Sequence, residues 1–445
     1  MHVSFPGPRS RLVGCLALTL LGLAVPTTGA ADDKPAAKPE RRAPAAVCVS
    51  ETATLLRREA PDKPWQIVKE NEELSSGDRI LGGTEAAVDA LDGAVRLAVV
   101  GDVDRVAPLP ILETVFVLHE AKDVDLDLTL ERGRVRLINL KKEGAARVRL
   151  RVRTTEGEIT LAEPGATLSL EIYGRWRRGV PFRKEPRPGE EPGLLFTLLA
   201  VRGEVHVKGP RRHLTLKAPP GNAVVEGDSL EEAEPEVGFL KELPTWAPEH
   251  LADLGGSDRG KQVRATMAHW RKLAKEKGIV EATNALLESD DETSRRLAVL
   301  LLAAMDDLER IGEVLKTTKQ QDVWEAAIVA LRHWIGRAPG QDQKLYKGLI
   351  EKGKYPPREA EGVLQLLHSF GEADLAHPET YQVLITYLGS DRPSLRELAY
   401  WHLTRLVPAG RKIDYDPLGP KEKRDAAVKE WRKLVLPAHP EADDR

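Results

Sequence analysis

The spacing of hydrophobic residues changes once along this chain, and that change limits the folds open to it. From residue 47 to about 230, apolar and polar side chains alternate in short runs broken by Gly, Pro and Asp, the period of half-buried strands. From 257 to about 434 the apolar residues recur at three- and four-residue spacing, as on amphipathic helices. A wound α/β fold would interleave the two periods, so strands followed by helices predict two domains. The first is expected to be all-β, a sandwich or an irregular β-helix-like stack of hairpins, and the second all-α.

Ahead of both lies an expected export leader over residues 1–30: Arg9 and Arg11, an apolar run from Leu12 to Val25, then Thr28, Gly29 and Ala30. The apolar run is too short for a permanent membrane span, so a periplasmic or secreted protein is expected, with no transmembrane segment after cleavage. Leu12 to Cys15 has the look of a lipoprotein cleavage box, but the apolar core follows Cys15 instead of preceding it, and lipid anchoring there is the minor reading. Residues 31–46, rich in Ala, Pro, Lys and Arg, read as a flexible tether, 231–256 as an acidic, Pro-rich linker, and 437–445 as a tail. Beyond the leader the only thiol is Cys48, between Val47 and Val49, which reads as a small buried hydrophobe. A formal net charge of −3 gives no global pull toward nucleic acid.

Within the β part, Gly-x-[Val/Ile]-x-[Leu/Val] recurs at Gly93, Gly133, Gly157 and Gly203, the pattern of a strand leaving a tight turn. Charge is uneven: residues 47–131 hold 8 Lys and Arg against 18 Asp and Glu, whereas residues 132–217 hold 20 against 9. Asp123, Asp125 and Asp127 share one strand face, as do Arg147, Arg149, Arg151 and Arg153. The default reading is two solvated faces pairing across a sheet; the sharper one is an arginine ladder that binds an anionic polymer. The stretch from Gly174 to Gly193 carries four prolines, so neither strand nor helix runs through it. It mixes Arg175, Trp176, Arg177, Arg178, Phe182, Arg183, Lys184 and Arg187, with Lys208, Arg211 and Arg212 as a second basic loop. These are the candidate partner-binding residues, suited to stacking on a sugar or anchoring a protein; the alternative is a solvated excursion with Trp176 tucked onto the sheet.

Ser75 to Ile80, Leu91 to Leu97, the Gly133 strand and Val152 to Gly157 resemble the FecR domain, an extracytoplasmic bacterial β-domain, over about residues 70–230. Its best-known members relay a signal from an outer-membrane receptor to a sigma factor. They have a cytoplasmic segment and an inner-membrane helix not visible here, so the resemblance implies a periplasmic β-platform and not an anti-sigma factor. In the α part, Leu287, Ser289, Asp290, Arg295 and Ala298 match Leu388, Ser390, Asp391, Arg396 and Ala399 at identical offsets. This resembles HEAT-type repeats over about 279–406, with 324–327 and 358–362 as degenerate equivalents. The resemblance implies a helical superhelix over 257–436, a Ser-Asp turn between paired helices, a small Ala where they pack, and a protein-binding surface. A final helix from about Pro420 is expected to bury Ala427, Val428, Trp431 and Leu434.

Chemistry is harder to find. His119-Glu120 lacks the second His of a zinc-protease helix, and the three alternating Asp residues lack the Gly-containing loop of a Ca²⁺ site. His269, His333, His368 and His402 sit in separate helices and read as helix-face or core residues. No catalytic residue, metal site or cofactor is assigned. The expected function is a non-enzymatic, protein-binding adaptor or scaffold of the bacterial cell envelope. The alternatives are a binder of anionic envelope polysaccharide acting through the basic and aromatic loop, and a hydrolase whose acids come together from distant strands.

Overall fold

A computed structural model describes residues 42–101, 112–210, 213–218, 222–226, 236–240 and 257–435. The expected leader with Cys15, the first part of the tether, Arg211, Arg212 and the tail lie outside the described residues. Among the described residues, no helix is long and apolar enough to cross a membrane.

The chain forms β strands first and helices afterwards. The strands are β1 (Pro44–Cys48), β2 (Leu55–Arg58), β3 (Gln66–Ile67), β4 (Glu73–Ser75), β5 (Arg79–Gly82), β6 (Ala87–Ala90), β7 (Val95–Val99), β8 (Thr114–His119), β9 (Leu126–Asn139), β10 (Ala146–Val152), β11 (Thr155–Leu161), β12 (Thr167–Arg175), β13 (Gly193–Arg202), β14 (Glu204–Lys208), β15 (His213–Lys217), β16 (Asn222–Glu226) and β17 (Glu236–Leu240). The helices are α1 (Asp258–Lys277), α2 (Ile279–Leu287), α3 (Glu292–Ala304), α4 (Leu308–Thr317), α5 (Gln321–Gly336), α6 (Gln341–Glu351), α7 (Pro357–His368), α8 (Glu372–Leu375), α9 (Pro378–Leu388), α10 (Pro393–Leu406) and α11 (Lys421–Val435).

β1 to β15 join in one hydrogen-bonded network, and β16 pairs with β17 apart from it. β9 organises the network because it belongs to two sections of sheet. Its first half pairs with β8 and, in parallel, with β10; its second half pairs with β7 and β12. The crossing point is Gly133, with φ +107°, where a Cβ would lie 2.5 Å from the Thr114 Cα. Only glycine combines that backbone with that approach. Side chains from both sections, among them Leu128, Leu130, Val135, Leu137, Val148 and Leu168, fill one apolar core. Cys48 is part of it, fully buried, and burial raises its thiol pKa.

Several expectations change in detail. β1 starts at Pro44, inside the stretch read as tether, because Ala45 and Ala46 bury against β4 and β6 and a proline is tolerated as a strand's first residue. β17 lies inside the expected linker, where five residues pair with β16. Gly93 and Gly203 occupy positive-φ turns as the repeated pattern predicts, whereas Gly133 and Gly157 lie within strands. On α11 Ala427 and Trp431 are buried as expected, whereas Leu434 is exposed.

Helices α2 to α7, α9 and α10 follow one another as hairpins of short connection. The sequence match has a geometric counterpart in the turns of α2–α3 and α9–α10. The Arg295 guanidinium donates to the Ser289 carbonyl at 2.9 Å and Arg396 to Ser390 at 2.8 Å. In both turns the Ser hydroxyl also accepts a backbone N–H two residues on, at 3.1 Å and 3.2 Å. The second helix of each hairpin buries a small residue: Ala298, Ala327, Gly362 and Ala399. At Gly362 a Cβ would meet the Tyr387 hydroxyl at 2.8 Å, so the smallness is what lets α9 approach.

The two parts share an apolar cluster. Leu56, Leu81 and Val115 of the strands pack with Val263, Met267, Trp270 and Leu297 of the helices. Lys275 on α1 pairs with Glu51 at 2.7 Å and Arg271 with Glu85 at 3.5 Å.

Candidate functional site

The stretch between β12 and β13 is a strap laid across the helices. Its backbone gets close because glycine meets glycine twice. A Cβ on Gly174 would sit 2.1 Å from the Gly336 carbonyl oxygen, and one on Gly371 would lie 2.9 Å from the Gly179 Cα. Between these points the aromatics face inward. The Trp176 indole N–H donates to the Ile335 carbonyl at 3.0 Å, and its ring lies 4.3 Å from the His368 ring. Phe182 packs against Tyr346 and the edge of His368, while its backbone N–H donates to Gln365 at 3.1 Å. His368 is buried, with Nδ1 facing the Val180 carbonyl at 3.1 Å and Nε2 facing the Asp342 carboxylate at 3.2 Å. Trp176 is thus tucked inward, but onto helices and not onto the sheet.

The strap's cations divide by environment. Arg183 pairs with Glu190 at 2.9 Å, and Lys184 pairs with Glu361 at 2.5 Å over the Tyr346 ring. Arg175, Arg177, Arg178 and Arg187 are exposed. Lys208 ends β14 in register with Glu158 and His213, on the far side of β11 from the ladder strand β10. Arg211 and Arg212, its expected companions, fall outside the described residues. We expect Trp176→Ala to cost about 2–3 kcal/mol, below the range for a fully buried tryptophan because the ring is half-buried. Urea unfolding of the full chain checks this, and an unchanged midpoint would mean the strap does not hold the helices.

Two of the four ladder arginines, Arg149 and Arg151, are neutralised in place, as the default reading of paired strand faces expects. β10 runs parallel to β9, so Arg149 and Arg151 reach Asp123 and Asp127. Glu156 on β11 takes Arg151 at 2.9 Å and Arg149 at 3.4 Å, and Asp125 takes Lys141 at 2.8 Å. Arg153 turns away and donates to the Pro192 carbonyl at the end of the strap at 2.9 Å. His119 likewise stays in a strand, bonded to Thr129 at 2.8 Å.

Two charged clusters escaped the sequence reading. The first is centred on Asp306, in the α3–α4 turn with φ +63°. Its carboxylate accepts from Arg79 at 2.8 Å, Arg337 at 2.8 Å and the Trp334 indole at 3.1 Å, with Arg58 at 3.8 Å. Arg79 also takes Glu131, and Glu113 bridges Arg132 and Arg337. Burial by itself would raise the Asp306 carboxyl, but Arg132, Arg337 and Arg79 together outweigh it and hold the group at about 2. Trp65 donates to the adjoining Met305 carbonyl at 3.0 Å beneath the Arg58 guanidinium. This cluster ties strands to helices.

The second cluster surrounds Trp401 on α10. The Arg405 guanidinium lies 3.9 Å from its ring centroid and that of Arg332, on α5, lies 5.1 Å away. Arg178 approaches from the strap, whose backbone there rests on Gly371. Burial, with the like charges of Arg178 and Arg405, lowers the Arg332 guanidinium to about 10. None of the three pairs with a carboxylate among the described residues; Glu325, which Arg405 feels, is itself paired with Arg296 at 3.4 Å. The i, i+4 spacing of Trp401 and Arg405 on one helix face was the available signal. Nothing in the sequence links them to Arg332 or Arg178.

The helical histidines are placed as expected. His269 is exposed, and burial holds His333 at about 4 and His402 at about 3, so both are neutral. Tyr415 is core, donating to the Leu388 carbonyl at 2.7 Å, and Asp416 serves the turn, accepting from the Leu418 N–H at 2.8 Å. Comparison with models of known protein families, with curated proteins and with solved structures found no match to this chain.

Proposed function

We propose that this protein is an exported, non-enzymatic adaptor of the bacterial cell envelope, in which a FecR-like β-platform carries a HEAT-like helical surface that binds a protein partner. The observation that carries the reading is the repeated hairpin geometry: the same Arg-to-Ser carbonyl bond in two turns 101 residues apart, with a small residue buried in the second helix of each hairpin. Arrays of stacked hairpins bury their apolar stripes on one another and leave a long outer surface whose common use is recognition. The ion cluster at Asp306 and the strap support the reading from the other side, since they hold that surface to the β part at fixed geometry.

Polysaccharide binding through the strap has less support. Its two aromatic rings already pack against His368 and Tyr346, which leaves less aromatic surface for a sugar. Crosslinking in intact envelopes followed by mass spectrometry tests the adaptor reading. Adducts between residues 292–406 and another protein are expected; adducts to glycan alone, or none on the helices, would remove it.

A further inference from the structure

We propose that the guanidiniums of Arg332 and Arg405, which flank Trp401, together with the strap residue Arg178 near Arg332, bind the side-chain carboxylates of an acidic segment of the partner protein. The inference deepens the adaptor reading and rests on it. Two helices distant in sequence, α5 and α10, each bring one cation to the same indole, and the strap brings Arg178 near enough to Arg332 for its charge to act there. Several inward-drawn arginines elsewhere are answered by acids: Arg79 with Glu131 and Asp306, Arg134 with Glu171, Arg295 with Asp322. Around Trp401 no carboxylate among the described residues does this for Arg332. Arg332 has as its nearest polar partner only the Leu366 carbonyl at 3.4 Å, while Arg405 donates to the Trp401 carbonyl of its own helix at 2.9 Å. Arg332, half-buried and facing the like charges of Arg178 and Arg405, is costly unless an anion completes it.

The chemistry of the site selects among anions. Guanidinium is a planar fork that matches a carboxylate edge to edge, and Trp with Arg is the pairing enriched where proteins anchor one another. A glycan would seek an open aromatic face for its ring. Here the Trp401 face is covered by guanidinium, which leaves the cation forks, not the indole, as the recognition element. Partial burial of Arg332 beside the indole shields its charge from solvent, so a pairing there is worth more than one on an open surface.

The test is titration of a fluorescein-labelled peptide of alternating Glu and Ser into the purified full chain at low salt, read by anisotropy. Saturable binding that weakens with salt is expected, reduced roughly tenfold or more by Arg178→Gln and by Arg405→Gln and unchanged by Arg187→Gln elsewhere on the strap. Arg332→Leu separates binding from architecture: binding falls while the melting temperature holds or rises, because an uncompensated cation has been removed. A fall in melting temperature with binding intact would make Arg332 a structural residue and overturn its part. The proposal as a whole fails if wild-type protein does not distinguish the Glu peptide from its Gln counterpart, or if Arg178→Gln and Arg405→Gln bind as wild type does. It also fails if polygalacturonate competes with higher affinity through the same arginines, since that assigns the site to a glycan. Protein crosslinks in envelopes that persist in Arg405→Gln would leave the adaptor reading standing while this site falls.

Discussion

Asp306→Ala is expected to destabilise the protein by about 3–5 kcal/mol, because it removes the anion at the centre of a buried cluster and leaves its cations without an answer. Arg58, Arg79 and Arg337 all converge on that carboxylate, whose side chain is 22% exposed. Glu131 and Glu113 would remain, but neither reaches every member. Chemical denaturation measures the loss, and a cost under 1 kcal/mol would show that the cluster adds nothing beyond the apolar contacts around it. The pH dependence gives a second handle. The folded-state value of about 2 lies below the ordinary 3.8, so the contribution is complete above pH 4 and disappears as pH falls toward 2. It amounts to about 2 kcal/mol, and Asp306→Asn should flatten the profile over that window.

Glu397→Gln is expected to act in the opposite direction. Glu397 is fully buried on α10, and burial, with the nearby charges of Asp416 and Glu325 and against the Gln321 amide at 2.8 Å, raises its carboxyl to about 7. Arg396, the adjoining residue, donates instead to the Pro417 and Ser390 carbonyls. An acid whose folded-state value lies above its unfolded one costs stability as pH rises from 4.5 through 7. Wild type and variant should therefore have equal stability near pH 4, and the variant should gain up to about 3 kcal/mol by pH 8. Thermal melts across that range settle the point, and a pH-independent difference would mean that the carboxyl titrates alike in the folded and unfolded protein.

Both predictions rest on groups that no sequence pattern marks. The order of strands and helices was legible because a hydrophobic period is a local property, visible in any dozen residues. So was the pairing of Asp123 and Asp127 with Arg149 and Arg151, since polar faces of neighbouring strands meet by default. The Ser-Asp turns were legible because the same five side chains occur twice. Asp306 is different. It stands in a turn, and its partners Arg58 and Arg79 are more than two hundred residues earlier, so only the packing of helices on strands reveals their meeting. The strap was recognised as unusual from its prolines and aromatics, yet its partners His368, Tyr346 and Ile335 could not be inferred, and binding inward resembles binding outward when only one side of a contact is known.

The meeting of Gly174 with Gly336 has a consequence for how the molecule comes apart. With main chain against main chain, the end of a strand and the end of a helix leave no room for a side chain to act as hinge or spacer. A protease cut between Leu240 and Ser257 would then sever the covalent connection without releasing either piece, and the nicked protein would travel through a sizing column as one particle. Heat should melt it in one cooperative step, with the strands lost at the temperature at which the helices are lost.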